Sequence, residues 1–207
     1  MQRLLTIIIA LLAWFALVAQ LVLMLENRVV AIPETLIRFI SFFTILTNTL
    51  VALFFTGRLL NAVFTEKAGW LTALTSYILV VGITYQILLR HLWQPAGLQW
   101  VVDELLHTIV PLLVVIFWIF VGERTIIHYR QIPRWLLYPL VYFGYTLIRG
   151  LSTSYYPYPF IDANKLGLSR ALLNGVFILV FFVVVQLVLV WVAKRQKRSK
   201  NESLFRL

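Results

Sequence analysis

Apolar residues run almost unbroken through six stretches, roughly Leu4 to Leu25, Ile37 to Thr56, Trp70 to Arg90, Val101 to Val121, Trp135 to Leu151 and Leu168 to Ala193. Each is near the ~20 residues a helix needs to cross a bilayer core. The pattern predicts an all-α, polytopic membrane protein: a single bundle of six transmembrane helices over residues 1–193 and a basic tail over 194–207. The first run is longer than a typical signal-peptide core and lacks a small-x-small cleavage site, so it is read as a retained helix. Trp70, Trp93, Trp100, Trp135, Tyr155, Tyr156 and Tyr158 fall near span ends, where amphipathic rings favour the headgroup zone.

Composition sharpens this picture. With 61% hydrophobic and 13% charged residues in 207, and a mean hydropathy of +0.90, no stretch is polar enough to form a separate aqueous domain. The net charge of +10 would suggest nucleic acid in a soluble chain. Here the cations lie between and after apolar runs, so no nucleic-acid partner is expected. Arg3, Arg58, Lys67, Arg124, Arg130, Arg134 and six cations of the tail fall on one side of the six-span arrangement. Arg28, Arg38, Arg90, Arg149, Lys165 and Arg170 fall on the other. The positive-inside rule then puts both termini in the cytoplasm, with the tail against anionic lipid. The absence of cysteine removes disulfides, thiolate nucleophiles and Cys-ligated metal sites.

Polar residues inside spans carry the functional signal, because hydrocarbon offers them no hydrogen-bond partner. In the second run, Ser41, Thr44 and Asn48 follow Arg38 at three- and four-residue steps and are expected to share one helical face. In the fourth, Asp103, Glu104, His107 and Pro111 form a second stripe. Pro111 cannot donate to the carbonyl of residue 107, so a kink is expected there. Thr44 lies about 10 Å and His107 about 9 Å from the start of its span, at 1.5 Å per residue. Both spans enter from the outside, so the hydroxyl and the imidazole are level. Arg38, Arg90, His91, Arg149 and the loop Tyr155 to Phe160 belong to the same outer half.

Each of these residues also has an ordinary reading. A membrane threonine usually bonds its own i−4 carbonyl, a buried histidine can bond a neighbouring helix, Asn48 can be interhelical glue, and Asp103 with Glu104 can be a solvated boundary pair. No cofactor and no metal are expected. The nearest alternatives are a haem between His91 and His107 and a zinc ion with Asp103 or Glu104 as further ligand, neither with a diagnostic spacing.

The stretch Phe43-Thr44-Ile45-Leu46-Thr47-Asn48, the later Ala52-Leu53-Phe54-Phe55, His107-Thr108-Ile109-Val110-Pro111 and Tyr158-Pro159-Phe160-Ile161-Asp162 together resemble the androgen-induced and androgen-dependent TFPI-regulating membrane proteins. The resemblance implies a bacterial relative, in the cell's inner membrane, of multi-pass hydrolases that cleave fatty acid esters of hydroxy fatty acids. It places Thr44 on the family's catalytic threonine and His107 on its histidine. The chain departs from the family pattern at Thr47, where an acid is usual, at Glu104, where a second histidine is usual, and in a His-to-Pro step one residue shorter.

The chemistry stands beside the resemblance. A hydroxyl nucleophile needs a base in hydrogen-bond reach, and the base needs a third group to orient it. Thr44, His107 and either Asp103 or Glu104 supply these types, with Ser41 or Asn48 as candidate oxyanion donors. Arg38 or Arg90 could hold a lipid carboxylate or phosphate, with Tyr158 at the outer edge. The expected partners are membrane lipids and a hydrophobic acyl ester; the oligomeric state is not legible. The alternative functions are a non-catalytic lipid-binding or carrier bundle and a haem-binding electron carrier.

Overall fold

A computed structural model describes residues 2–121 and 127–204, with side chains described to residue 196. Arg124 and the side chains of Lys197, Arg198, Lys200 and Arg206, which weigh in the orientation argument, lie outside the described residues. Every regular element among the described residues is helical. The chain divides into two compact units, Met1–Thr125 and Ile126–Leu207.

In the first unit α1 (Gln2–Glu26) buries Ile9, Ala10, Ala13, Ala16 and Leu17. This stripe recurs every three or four residues, and its alanines let the backbone lie close against α3 (Phe43–Leu59). The opposite face leaves Leu4, Leu11, Phe15 and Val18 exposed, as suits an apolar surrounding. α3 and α4 (Trp70–Thr84) are buried on nearly every side and form the centre of the unit. α5 (Gly97–Glu104) leads through a wide turn into α6 (Val110–Val121). Interhelical bonds join Trp14 Nε1 to Thr56 Oγ1 at 3.1 Å and Trp118 Nε1 to Thr72 Oγ1 at 2.9 Å.

Three departures from straight helices matter for the site. The second apolar run is not one helix: α2 (Ile32–Ser41) ends and α3 begins across an extended Phe42, and the two axes turn by 74°. Neither glycine nor proline marks the break. Ser41 Oγ donates to the Ile37 carbonyl at 2.6 Å, the back-bonding that bends helices. Ser41 therefore leaves the face it was expected to share with Thr44 and Asn48. The distortion expected at Pro111 takes the form of a π turn, Leu105–Ile109, closed by the Val110 amide donating to the Leu105 carbonyl. A second π turn, Tyr85–Leu89, follows α4, and neither proline nor glycine accompanies it.

Among the described residues, four helical stretches are long and apolar enough to cross a membrane: Gln2–Glu26, Trp70–Leu92, Gly97–Val121 and Leu168–Gln196. Counting α2 and α3 as one bent span makes five, which describes a polytopic, multi-pass bundle. The remaining expected span forms a helix, α7 (Ile132–Thr153). Its tyrosines, Pro139 and Arg149 keep it outside that group.

In the second unit α7 and α9 (Leu168–Leu204) flank a loop containing the short α8 (Ala163–Leu166). Gly150 and Gly175 admit aromatic rings: a methyl group added there would lie 2.0 Å from Tyr156 and Phe143 respectively. Asn174 Nδ2 holds the Phe160 carbonyl at 2.8 Å. Tyr158 stacks on Phe160 with centroids 5.3 Å apart.

Candidate active site

Thr44 occupies the first turn of α3, just past the break, where the positive end of the helix dipole lies. It is 7% exposed, and its Oγ1 is 3.3 Å from His107 Nε2. The other imidazole nitrogen, Nδ1, faces two oxygens of Asp103: the main-chain carbonyl at 3.0 Å and carboxylate Oδ1 at 3.3 Å. Two acceptors at Nδ1 require a proton there, so the neutral ring presents the bare Nε2 to the Thr44 hydroxyl. The hydroxyl can then donate to it.

Asp103, 4% exposed, accepts a hydrogen bond at Oδ2 from the Tyr85 hydroxyl. The Tyr85 ring lies flat on the His107 imidazole, with centroids 4.0 Å apart and planes 15° from parallel. Farther out, Gln86 Nε2 donates to Thr108 Oγ1 at 2.8 Å and to this same glutamine Arg90 donates at 2.8 Å. Arg90 also pairs with Glu104. The segment 85–90 is thus tied to the segment 103–108 by three polar rungs, one buried and two exposed.

These contacts separate the candidates. Of the two acids, Asp103 is the one at the imidazole, while Glu104 turns to Arg90. Asn48, fully buried, donates from Nδ2 to the Thr44 carbonyl at 2.9 Å and the Leu106 carbonyl at 3.2 Å, and its Oδ1 has no partner. Reversing the amide would set its oxygen against both carbonyls. Asn48 therefore ties the dyad's two helices together rather than offering a hydrogen to an oxyanion. Ser41 is bonded to Ile37 on the far side of the break. Arg38 pairs with Glu34 at 2.8 Å, one turn back on α2. Tyr158 belongs to the second unit, where it stacks on Phe160.

His91, the other half of the haem alternative, is exposed in the 3₁₀ turn Arg90–Leu92 that directly follows the π turn Tyr85–Leu89. Among the described residues no group of three His, Cys, Asp or Glu side chains is placed to hold a metal ion. Tyr85, Gln86 and Thr108 escaped the reading of the sequence. The signal was the Tyr85-Gln86 pair near the end of the third apolar run, one turn before Arg90. Comparison with protein-family models, with curated proteins and with solved structures finds no match.

Proposed function

We propose that this chain is an intramembrane hydrolase that cleaves a lipid acyl ester, with Thr44 as nucleophile and His107 as base. One observation carries the reading: a threonine hydroxyl 3.3 Å from an imidazole nitrogen whose opposite nitrogen is held by Asp103. The resemblance to the androgen-induced family supports the same pair. In this reading the chain has six spans, with α2 and α3 as one and α7 as another. Both termini are cytoplasmic, and the dyad lies toward the outer leaflet of a bacterial inner membrane.

The chemistry runs in two halves. His107 Nε2 takes the Thr44 proton as Oγ1 attacks the ester carbonyl, and the resulting imidazolium is stabilised by Asp103. The tetrahedral oxyanion forms beside the first turn of α3, where the helix dipole favours negative charge. Its collapse expels the alkoxide, which takes the proton from His107 and leaves an acyl-threonine. Water, deprotonated by the same nitrogen, then releases the fatty acid and restores the hydroxyl. Arg90 and Arg38 offer cationic sites for an acidic group of the substrate.

A lipid-binding bundle without catalysis is the second reading, favoured by one feature: the Asn48 side chain, one turn after the threonine, has both amide hydrogens committed. A fluorophosphonate probe separates the two. The hydrolase labels, and Thr44→Ala abolishes the label. Equal labelling of the variant removes Thr44 from the chemistry, and no labelling of the wild type with retained lipid binding favours the carrier.

A further inference from the structure

We infer that Tyr85 is a positioning residue, holding Asp103 and His107 in the geometry that presents a bare Nε2 to Thr44. The inference rests on the hydrolase reading for its consequence, but its physical content is separate. Tyr85 touches both members of the pair in different ways, since its hydroxyl donates to Asp103 Oδ2 and its ring stacks on the imidazole. An imidazole can turn about its bond to Cβ, and a carboxylate can turn about its own. The stack restricts the first rotation and the hydrogen bond the second. With Oδ2 taken by the phenol, Oδ1 is the oxygen left for Nδ1–H.

The backbone supports the same assignment. Tyr85 opens one π turn and His107 sits in the middle of the other. A π turn shifts the residues after it relative to a regular helix, and such turns concentrate at functional sites. Here the Gln86–Thr108 rung joins the two wide turns, and the buried Tyr85–Asp103 rung runs from the first of them to the end of α5, one turn before His107. The generic alternative is that Tyr85 merely fills space beside His107. Packing alone would be served by the ring without the hydroxyl, so removing only that oxygen tells the two apart.

The test uses the full chain in detergent or nanodiscs with ¹⁵N-labelled histidine, the His107 signals being identified through His107→Gln. Wild type is expected to show His107 in one tautomer, protonated at Nδ1. Tyr85→Phe is expected to mix the tautomers and to slow fluorophosphonate labelling about tenfold, without changing the probe concentration at half saturation. Asp103→Asn should act in the same direction, and the double variant should be little worse than Asp103→Asn alone, because both remove one coupled unit. Tyr77→Phe, a buried tyrosine two turns earlier on α4, should change neither readout. Identical His107 spectra in Tyr85→Phe and wild type, or an equal effect of Tyr77→Phe, overturns the inference. If wild type does not label at all, the hydrolase reading falls while the spectra still decide the role of Tyr85.

Discussion

Asp103 is the residue on which the site turns. Nearly excluded from solvent, it accepts from Tyr85 and from the imidazole of His107 through separate oxygens. Asp103→Asn removes the carboxylate charge and replaces one acceptor oxygen with a donor, so a single oxygen is left to accept and the Tyr85 bond persists only with the phenol reversed. Partners that orient a metal-bound histidine are worth about 10–100-fold, and Asp103 does the same orienting at His107. Labelling of Thr44 in that variant is accordingly expected to fall by about that factor, measured as a pseudo-first-order rate. Asn48 acts on stability instead. Asn48→Ala removes both side-chain bonds to the Thr44 and Leu106 carbonyls; the Thr44 carbonyl keeps its backbone partner within α3, and loss of the buried donor to Leu106 costs about 1–3 kcal/mol. Reversible unfolding in mixed micelles should show a loss on that order.

At the scale of elements, the distance between α4 and the π turn before α6 is set by a missing side chain. A methyl group at Gly82 would stand 3.1 Å from the His107 carbonyl oxygen and 3.3 Å from Pro111 Cβ. The carbonyl is backbone and cannot swing aside as a side chain can. Gly82→Val is therefore expected to push the π turn away from α4 and to lower Thr44 labelling at least tenfold, in a protein that still elutes as a folded species on size exclusion. In the second unit, Gly150→Ala sets a methyl group into the Tyr156 ring, and overpacking of this kind costs about 1–3 kcal/mol. The same micelle unfolding measurement applies.

For the whole molecule, the open question with a direct answer is how many times the chain crosses the membrane. Charge distribution places both termini on the cytoplasmic side only if α7 and the bent α2–α3 pair each count as one crossing. The chain has no native cysteine, so single cysteines report cleanly. Gln2→Cys and Gln196→Cys are expected to react with an impermeant maleimide only after the cytoplasmic side is opened, and Ser154→Cys in intact cells. Protection of Ser154→Cys in intact cells would remove α7 as a crossing and reduce the count.

Long apolar runs were legible in the sequence because a bilayer demands a helix of a certain length and greasiness at every crossing, but their ends were not: the helices begin at Ile32, Gly97 and Ile132 rather than at Ile37, Val101 and Trp135. Thr44 and His107 were legible for the converse reason: they stand out where hydrocarbon leaves little tolerance for them. The break at Phe42, the π turns at Tyr85 and Leu105, the choice of Asp103 over Glu104 and the stack of Tyr85 on His107 were decided only by the tertiary structure. A one-residue shift in helical register rotates a side chain by about 100°. Which acid meets the imidazole therefore depends on how neighbouring helices are wound and packed, and no local pattern of apolar and polar positions records that.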